Sequence, residues 1–259
     1  MIKSRVFRVV CIALVLICLF APCRPAFALE QFHWFIKRNP GGIPSFPKEA
    51  ACFEDYEAYY IDKKLCEGEK VIYLTFDAGY ENGNIERILD VLKEESVPAA
   101  FFLLDNIILK NCQLVNRMAD EGHLVCNHTK NHKNLSSATK EEIEADLLAL
   151  QNIYKEKTGR EMAKYFRFPE GSYSLEALKA VKELGYKTVF WSFAYDDWDN
   201  KRQPDPERAK RKILDNTHSG AVMLFHPTSK TNADILKDLI LTWKEMGYSF
   251  GSLDQLCNK

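Results

Sequence analysis

Five places in the sequence carry residue types suited to hydrolytic chemistry. Asp77 stands in TFDAGYENG, just after the apolar run 71–74. A carboxylate there can act as a general base that lifts a proton from water, although Asp before Ala-Gly also caps turns. His128 and His132, in HTKNH, are four residues apart. On a helical turn this spacing sets two imidazoles on one face, where both can reach one metal ion. Alone, the HxxxH pattern is as readily structural as ligating. Arg167, in RFPEG, can hold a carboxylate through paired hydrogen bonds, or be a surface arginine before a proline turn. Asp197 and Trp198, in FAYDDWDN, join an acid to a ring able to stack on a sugar. Trp191, Tyr195 and Trp198 equally suit a core. His226 ends the apolar run AVMLF, where a lone histidine more often serves structure. His33, His123 and His218 have no such company.

The elements that must position these groups follow from periodicity. Strand-like runs occur at 71–76, 99–104, 123–127, 165–168, 187–192, 221–225 and 248–251. Amphipathic helical patterns lie between them, near 85–95, 111–121, 140–157, 175–184, 206–216 and 233–246. Gly122, Gly159, Gly185 and Gly247 stand at helix stops. This alternation predicts an α/β fold with a parallel sheet and crossover helices, either an open doubly wound sheet or a barrel. No GxGxxG follows the first strand, which disfavours a dinucleotide fold. Asp77, His128, Arg167, Asp197 and His226 all fall at C-terminal strand ends, the edge that carries active sites in both architectures.

The chain of 259 residues opens with a basic MIKSRVFR, an apolar stretch from 9 to 21 and the small-x-small signal Ala26-Phe-Ala28. We read residues 1–28 as a secretory signal peptide. The competing reading is an uncleaved membrane anchor, although a spanning helix needs about 20 apolar residues. Either places the remainder outside the cytoplasm, in the cell-wall region. Losing four basic residues moves the formal charge from −1 to about −5, which gives no electrostatic reason to bind nucleic acid. Residues 29–70 read as an N-terminal extension wrapping a single catalytic domain at 71–259, expected as a monomer. Cys52, Cys66, Cys112, Cys126 and Cys257 remain after the signal, with no CxxC pair for a zinc site. Cys52 and Cys66 can close a short loop if oxidised; Cys112 and Cys126 sit in apolar patterns that suit buried thiols.

In their order, TFDAG, HTKNH, RFPEG, the Asp197–Trp198 pair and LFH resemble the polysaccharide deacetylases of carbohydrate esterase family four, the NodB-homology group. The resemblance spans roughly 70–256. It implies a distorted (β/α)7 barrel and metal-dependent hydrolysis of acetyl groups on a polysaccharide. It implies that Asp77 is the base that activates water, and that His128 and His132 hold a divalent metal, by family habit zinc. Arg167 matches the arginine that orients the base, Asp197 the acid that holds the catalytic histidine, and His226 that histidine, the general acid. Tyr80, Trp191 and Trp198 are the expected substrate-binding aromatics.

Two positions depart from the family pattern. Ala78 stands where a metal aspartate is usual, so the metal site should be weak, and Ala194 stands where the fourth motif has an acid. Both departures, together with GYENG, FWSFAYDDW, TSKTNADIL and HWFIKRN, resemble the sporulation-type deacetylases of peptidoglycan N-acetylmuramic acid, which lead to muramic δ-lactam of the spore cortex. That subgroup implies glycan strands stripped of stem peptides by an amidase as the partner. It also implies a basic residue for the lactyl carboxylate, for which Lys130, Lys133 and Lys230 are the candidates. A deacetylase of peptidoglycan N-acetylglucosamine or of another polysaccharide, and a non-catalytic wall-binding protein, are the competing readings.

Overall fold

A computed structural model describes residues 30–65 and 68–258. The expected signal peptide and Cys66 lie outside these residues. All seven predicted strands form: β3 (Val71–Ala78), β4 (Ala99–Leu103), β5 (Leu124–Asn127), β6 (Tyr165–Phe166), β8 (Lys187–Val189), β9 (Ala221–Phe225) and β10 (Ser249–Phe250). They make a curled parallel sheet in which β9 pairs with β3 and the order continues through β4, β5, β6 and β8. Beyond β8, Phe193 bridges Met223 of β9 in parallel and brings the two sides of the curl together. β10 pairs with the start of β3. This is the distorted barrel that the sequence motifs imply.

Residue alternation on β3 builds two cores at once. Ile72, Leu74, Phe76 and Ala78 pack outward with Ile85, Leu89, Ile240 and Trp243 of the helical layer. Tyr73 faces inward with Ala100, Phe102, Cys126, Tyr165, Val189 and Val222. Successive side chains on a strand point to opposite faces, and a strand buried on both faces reads as a near-continuous apolar run. The polar residues Thr75 and Asp77 share the inward parity of Tyr73. They therefore face the barrel interior rather than solvent.

The helices begin where local chemistry tells them to. Thr139 and Glu142 form a reciprocal capping box at the start of the helix Lys140–Thr158. Ser174, Asp205 and Ser229 accept from the third backbone N–H beyond them and start the helices Leu175–Glu183, Pro206–Asp215 and Lys230–Glu245. The Ser229 cap begins its helix three residues earlier than periodicity alone predicts.

Residues 30–65 do more than wrap the domain. β1 (Phe32–His33) pairs antiparallel with β7 (Ser172–Tyr173), and β2 (Ala58–Tyr59) joins the main sheet beside β8 in parallel. Trp34, Phe53 and Tyr60 are buried with Phe168, Tyr173 and Phe190 in a third cluster. Trp34 stacks on Phe190 at 5.0 Å between ring centres. Gly171, at φ +65°, leaves room here: a Cβ would lie 2.9 Å from both Trp34 and Trp191. Only glycine tolerates that backbone and that approach.

The structure corrects two sequence expectations. His128–His132 is not a helical turn; the segment is a loop in which Thr129 and His132 adopt left-handed backbone, at φ 69° and 62°. Cys112 is only half-buried, at the start of the helix Cys112–Asp120, and donates to the Lys157 carbonyl. Cys126 is fully buried as expected. Among the described residues no helix is long and apolar enough to cross a membrane.

Candidate active site

Asp77 is the penultimate residue of β3 and is 9% exposed. Arg167, from the end of β6, is completely buried and donates from Nη1 to Asp77 Oδ1 at 2.7 Å. Its other donors are also used: Nη2 reaches Thr75 Oγ1 at 2.9 Å, and Nε the Val189 carbonyl at 2.9 Å. The guanidinium lies 4.1 Å from the centre of the Phe102 ring, adding a cation–π contact. Burial opposes ionisation of Asp77, but the charge of Arg167, aided by His128 and His226, outweighs it and holds the carboxyl below its ordinary range. An ionised carboxylate thus stands at the floor of the cleft. Arg167 is no surface arginine.

His128 follows β5. Its Nδ1 meets the Arg167 carbonyl at 2.9 Å and its Nε2 lies 3.5 Å from Asp77 Oδ2. The carbonyl accepts the Nδ1 proton, which leaves the Nε2 lone pair free and aimed at the cleft. Burial, only partly opposed by the charge of Asp77, pushes the His128 pKa down to about 4, so the ring is neutral at physiological pH. The His132 ring stands 5.1 Å from that of His128, centre to centre. The left-handed backbone at 129 and 132 brings the pair together without a helix. A neutral imidazole held by a backbone carbonyl, with a second imidazole beside it, suits a divalent metal ion. Among the described residues no group of three or more His, Cys, Asp or Glu is arranged as a metal cage. The site therefore offers two imidazoles. Ala78 is 2% exposed, packs in the outer layer and supplies no ligand atom.

The opposite wall belongs to His226 and Asp197. Asp197 is fully buried, and its Oδ1 meets His226 Nδ1 at 2.7 Å. Asp197 Oδ2 accepts from the His226 backbone N–H at 2.8 Å and from Asn232 Nδ2 at 2.6 Å. Asn232 is fixed in turn by the Tyr195 hydroxyl and by Ser229 Oγ. Burial disfavours a charged His226, but the Asp197 carboxylate, its hydrogen bond and Asp77 together raise the pKa above the ordinary value. The two walls thus set a carboxylate whose ionised form is favoured opposite an imidazole whose protonated form is favoured, the division of labour that acid–base hydrolysis needs.

Asp77, His128, His132 and His226 line one cleft of about 580 Å³, with Trp191, Tyr195, Trp198, Glu170 and Arg38 also in its wall and Arg167 and Asp197 buried behind it. Trp198 is 60% exposed, an aromatic face open to solvent rather than core. Tyr80 is exposed on the loop after β3, where its hydroxyl meets Asn200, and is not among the cleft-lining residues. Lys130, Lys133 and Lys230 do not line the cleft either; Lys230 is paired with Asp234. His218 bonds Ser192 and Asn216 and His33 bonds Ser172, both structural roles. Sequence reasoning missed Thr75, Asn232, Glu170 and Arg38. Thr75 was legible in principle, since it shares the inward face of β3 with Asp77.

A family model described as polysaccharide deacetylase matches residues 64–189. The chain is 37% identical over 249 residues, 95% of its length, to the peptidoglycan-N-acetylmuramic acid deacetylase PdaA of Bacillus subtilis, covering 94% of that protein. It is 31% identical over 203 residues to a peptidoglycan-N-acetylglucosamine deacetylase of Bacillus cereus, covering 76% of this chain and 92% of the other. The solved structure of Bacillus subtilis PdaA, a family 4 carbohydrate esterase, superposes with a TM-score of 0.82 at 38% identity, over 88% of this chain and 97% of that one. With such a relative matched almost end to end and the motif residues gathered in one cleft, the chain belongs to the polysaccharide deacetylases of carbohydrate esterase family four.

Proposed function

We propose that this protein removes the N-acetyl group from N-acetylmuramic acid in peptidoglycan, in the extracytoplasmic space. The observation that carries the reading is the pairing across one cleft of Asp77 with Arg167 and of His226 with Asp197, beside His128 and His132. The near full-length relative named for this activity supports the choice of sugar.

A divalent ion, on this reading zinc, would be held by His128 and His132 and would polarise the acetyl carbonyl and a water molecule. Asp77, kept ionised by Arg167, takes the proton from the attacking water. His226, kept protonated by Asp197, gives a proton to the departing sugar nitrogen, so the C–N bond breaks to acetate and a free amine. The roles of Arg167 and Asp197 are positional: each fixes the protonation state of the group it holds. Trp191 and Trp198 offer faces on which sugar rings stack.

The freed amine lies on the same sugar as the lactyl carboxyl. Attack of the amine on that carboxyl, with loss of water, closes a six-membered lactam, favoured because both groups sit on one ring. On this reading the product is muramic δ-lactam, the modification of spore cortex.

A second reading, deacetylation of N-acetylglucosamine, is favoured by the relative from Bacillus cereus. A non-catalytic wall-binding role fits less well, since a site without chemistry has no need of Asp77, Arg167, Asp197 and His226 in working geometry. Mass spectrometry of peptide-stripped glycan strands after incubation with the protein and zinc decides among them. Deacetylated or lactam muramic residues are expected, absent with Asp77→Asn and His226→Ala. Acetate lost only from glucosamine overturns the first reading, and no acetate loss supports the third.

A further inference from the structure

The cleft contains a cation that hydrolysis of an acetyl group does not require. Arg38 lies just past Lys37, which bridges Ser45, in the segment anchored by buried Trp34. Its Nη2 donates to the Ala194 carbonyl at 2.7 Å, and its guanidinium stands 5.9 Å from the centre of the Phe193 ring. No carboxylate pairs with it among the described residues. Among the described residues Arg38 is the one lysine or arginine that lines the cleft, alongside Asp77, His128 and His226.

The other charges in that wall make the cation more telling. Glu170 and Asp196 line the same cleft, and both are exposed. Like Asp77, these carboxylates repel an anion that comes near them, so an anionic substrate group needs a facing cation. A neutral acetylated sugar has no use for a guanidinium there, whereas a sugar carrying its own carboxylate must be offered a positive group to enter. Residue 194 is alanine, so no acid at the anchoring position consumes the charge. An arginine with one N–H committed to a carbonyl keeps further donors in a planar fork that matches a carboxylate.

We propose that Arg38 recognises the lactyl carboxylate of the muramic residue whose acetyl group is removed; this rests on the reading of the substrate given above. A stem peptide converts that carboxylate to a neutral amide. Arg38 therefore makes the enzyme favour strands from which the peptide has been cut.

The test compares acetate release from two preparations of peptide-stripped strands, one with free lactyl carboxylates and one with the same carboxyls converted to methylamides. The wild-type enzyme is expected to prefer the carboxylate form by about tenfold or more in kcat/KM, mainly through KM, because a charge-assisted paired contact is lost in the amide. Arg38→Ala and Arg38→Gln should process both forms alike, at the wild-type rate for the amide, and Arg38→Lys should keep part of the preference. Retained turnover of the amide shows that the variants are folded. If Arg38→Ala slows both forms equally, the residue only holds the Ala194 loop and the proposal falls. It also falls if wild type deacetylates muramic residues without distinguishing the two forms, an outcome that leaves the proposed function standing. Acetate release from glucosamine alone overturns both.

Discussion

Arg167 Nη1 and Asp77 Oδ1 meet at 2.7 Å, with the arginine fully buried and the aspartate 9% exposed. Breaking a buried pair leaves an uncompensated charge, which costs about 3–5 kcal/mol. Arg167→Gln should therefore destabilise the fold by roughly that amount and abolish acetate release, because Asp77 loses the cation that keeps it ionised. Adding Asp77→Asn to Arg167→Gln should restore much of the stability and none of the activity. Urea unfolding of the two single variants and the double variant checks this. Additive losses would mean that the two side chains are not energetically coupled.

On the other wall, Asp197 raises the pKa of His226 against the effect of burial. On the proposed mechanism the reaction needs His226 protonated, so activity should be lost as pH rises through that pKa. Asp197→Asn removes the largest factor that supports the charged ring. The alkaline limb of the pH–rate profile should move to lower pH, and kcat should fall by about a hundredfold or more. An alkaline limb left at its wild-type position would show that another group supplies the proton.

Much of this site was legible in the chain because parallel strands end together. Residues at C-terminal strand ends converge without any knowledge of the helices between them, and Asp77, His128, Arg167 and His226 did so. Spacing misled at HTKNH. The i, i+4 rule predicts a helical turn, but left-handed backbone at Thr129 and His132 makes the same meeting in a loop. Such conformations are uncommon in non-glycine residues, and the spacing of the motif does not report them. Arg38 was hidden for a different reason. Its approach to Ala194 spans 156 positions and depends on β1 and β2 docking on the barrel, and no local pattern reports that. The lysines near the motifs were nearer in sequence and farther from the cleft.

The two imidazoles carry the expected metal affinity, since Ala78 adds no ligand atom. His132→Ala and His128→Ala should each abolish measurable zinc binding in calorimetric titration, and zinc should no longer restore activity to chelator-treated enzyme. His128→Ala should also lower stability, because its ring caps the Arg167 carbonyl inside the barrel. Wild-type zinc affinity in either variant would place the ion elsewhere.

A last prediction concerns His123, which stands just before β5, away from the cleft. It is 6% exposed, its ring packs edge-on against Phe101, and among the described residues neither ring nitrogen has a hydrogen-bond partner. Burial pushes its pKa from 6.5 down to about 4. The unfolded chain therefore binds a proton near pH 6.5 that the folded chain refuses until about pH 4. Stability should fall as pH drops through that window and level off below it. The full loss is about 3 kcal/mol, taking 1.36 kcal/mol for each pKa unit. His123→Phe keeps a ring against Phe101 and removes the titration. Urea unfolding at pH 7 and pH 4.5 should show a smaller acid loss in the variant than in wild type, by about 2 kcal/mol or more. Equal acid losses would mean that His123 is protonated in the folded protein and that its neighbours shelter the charge.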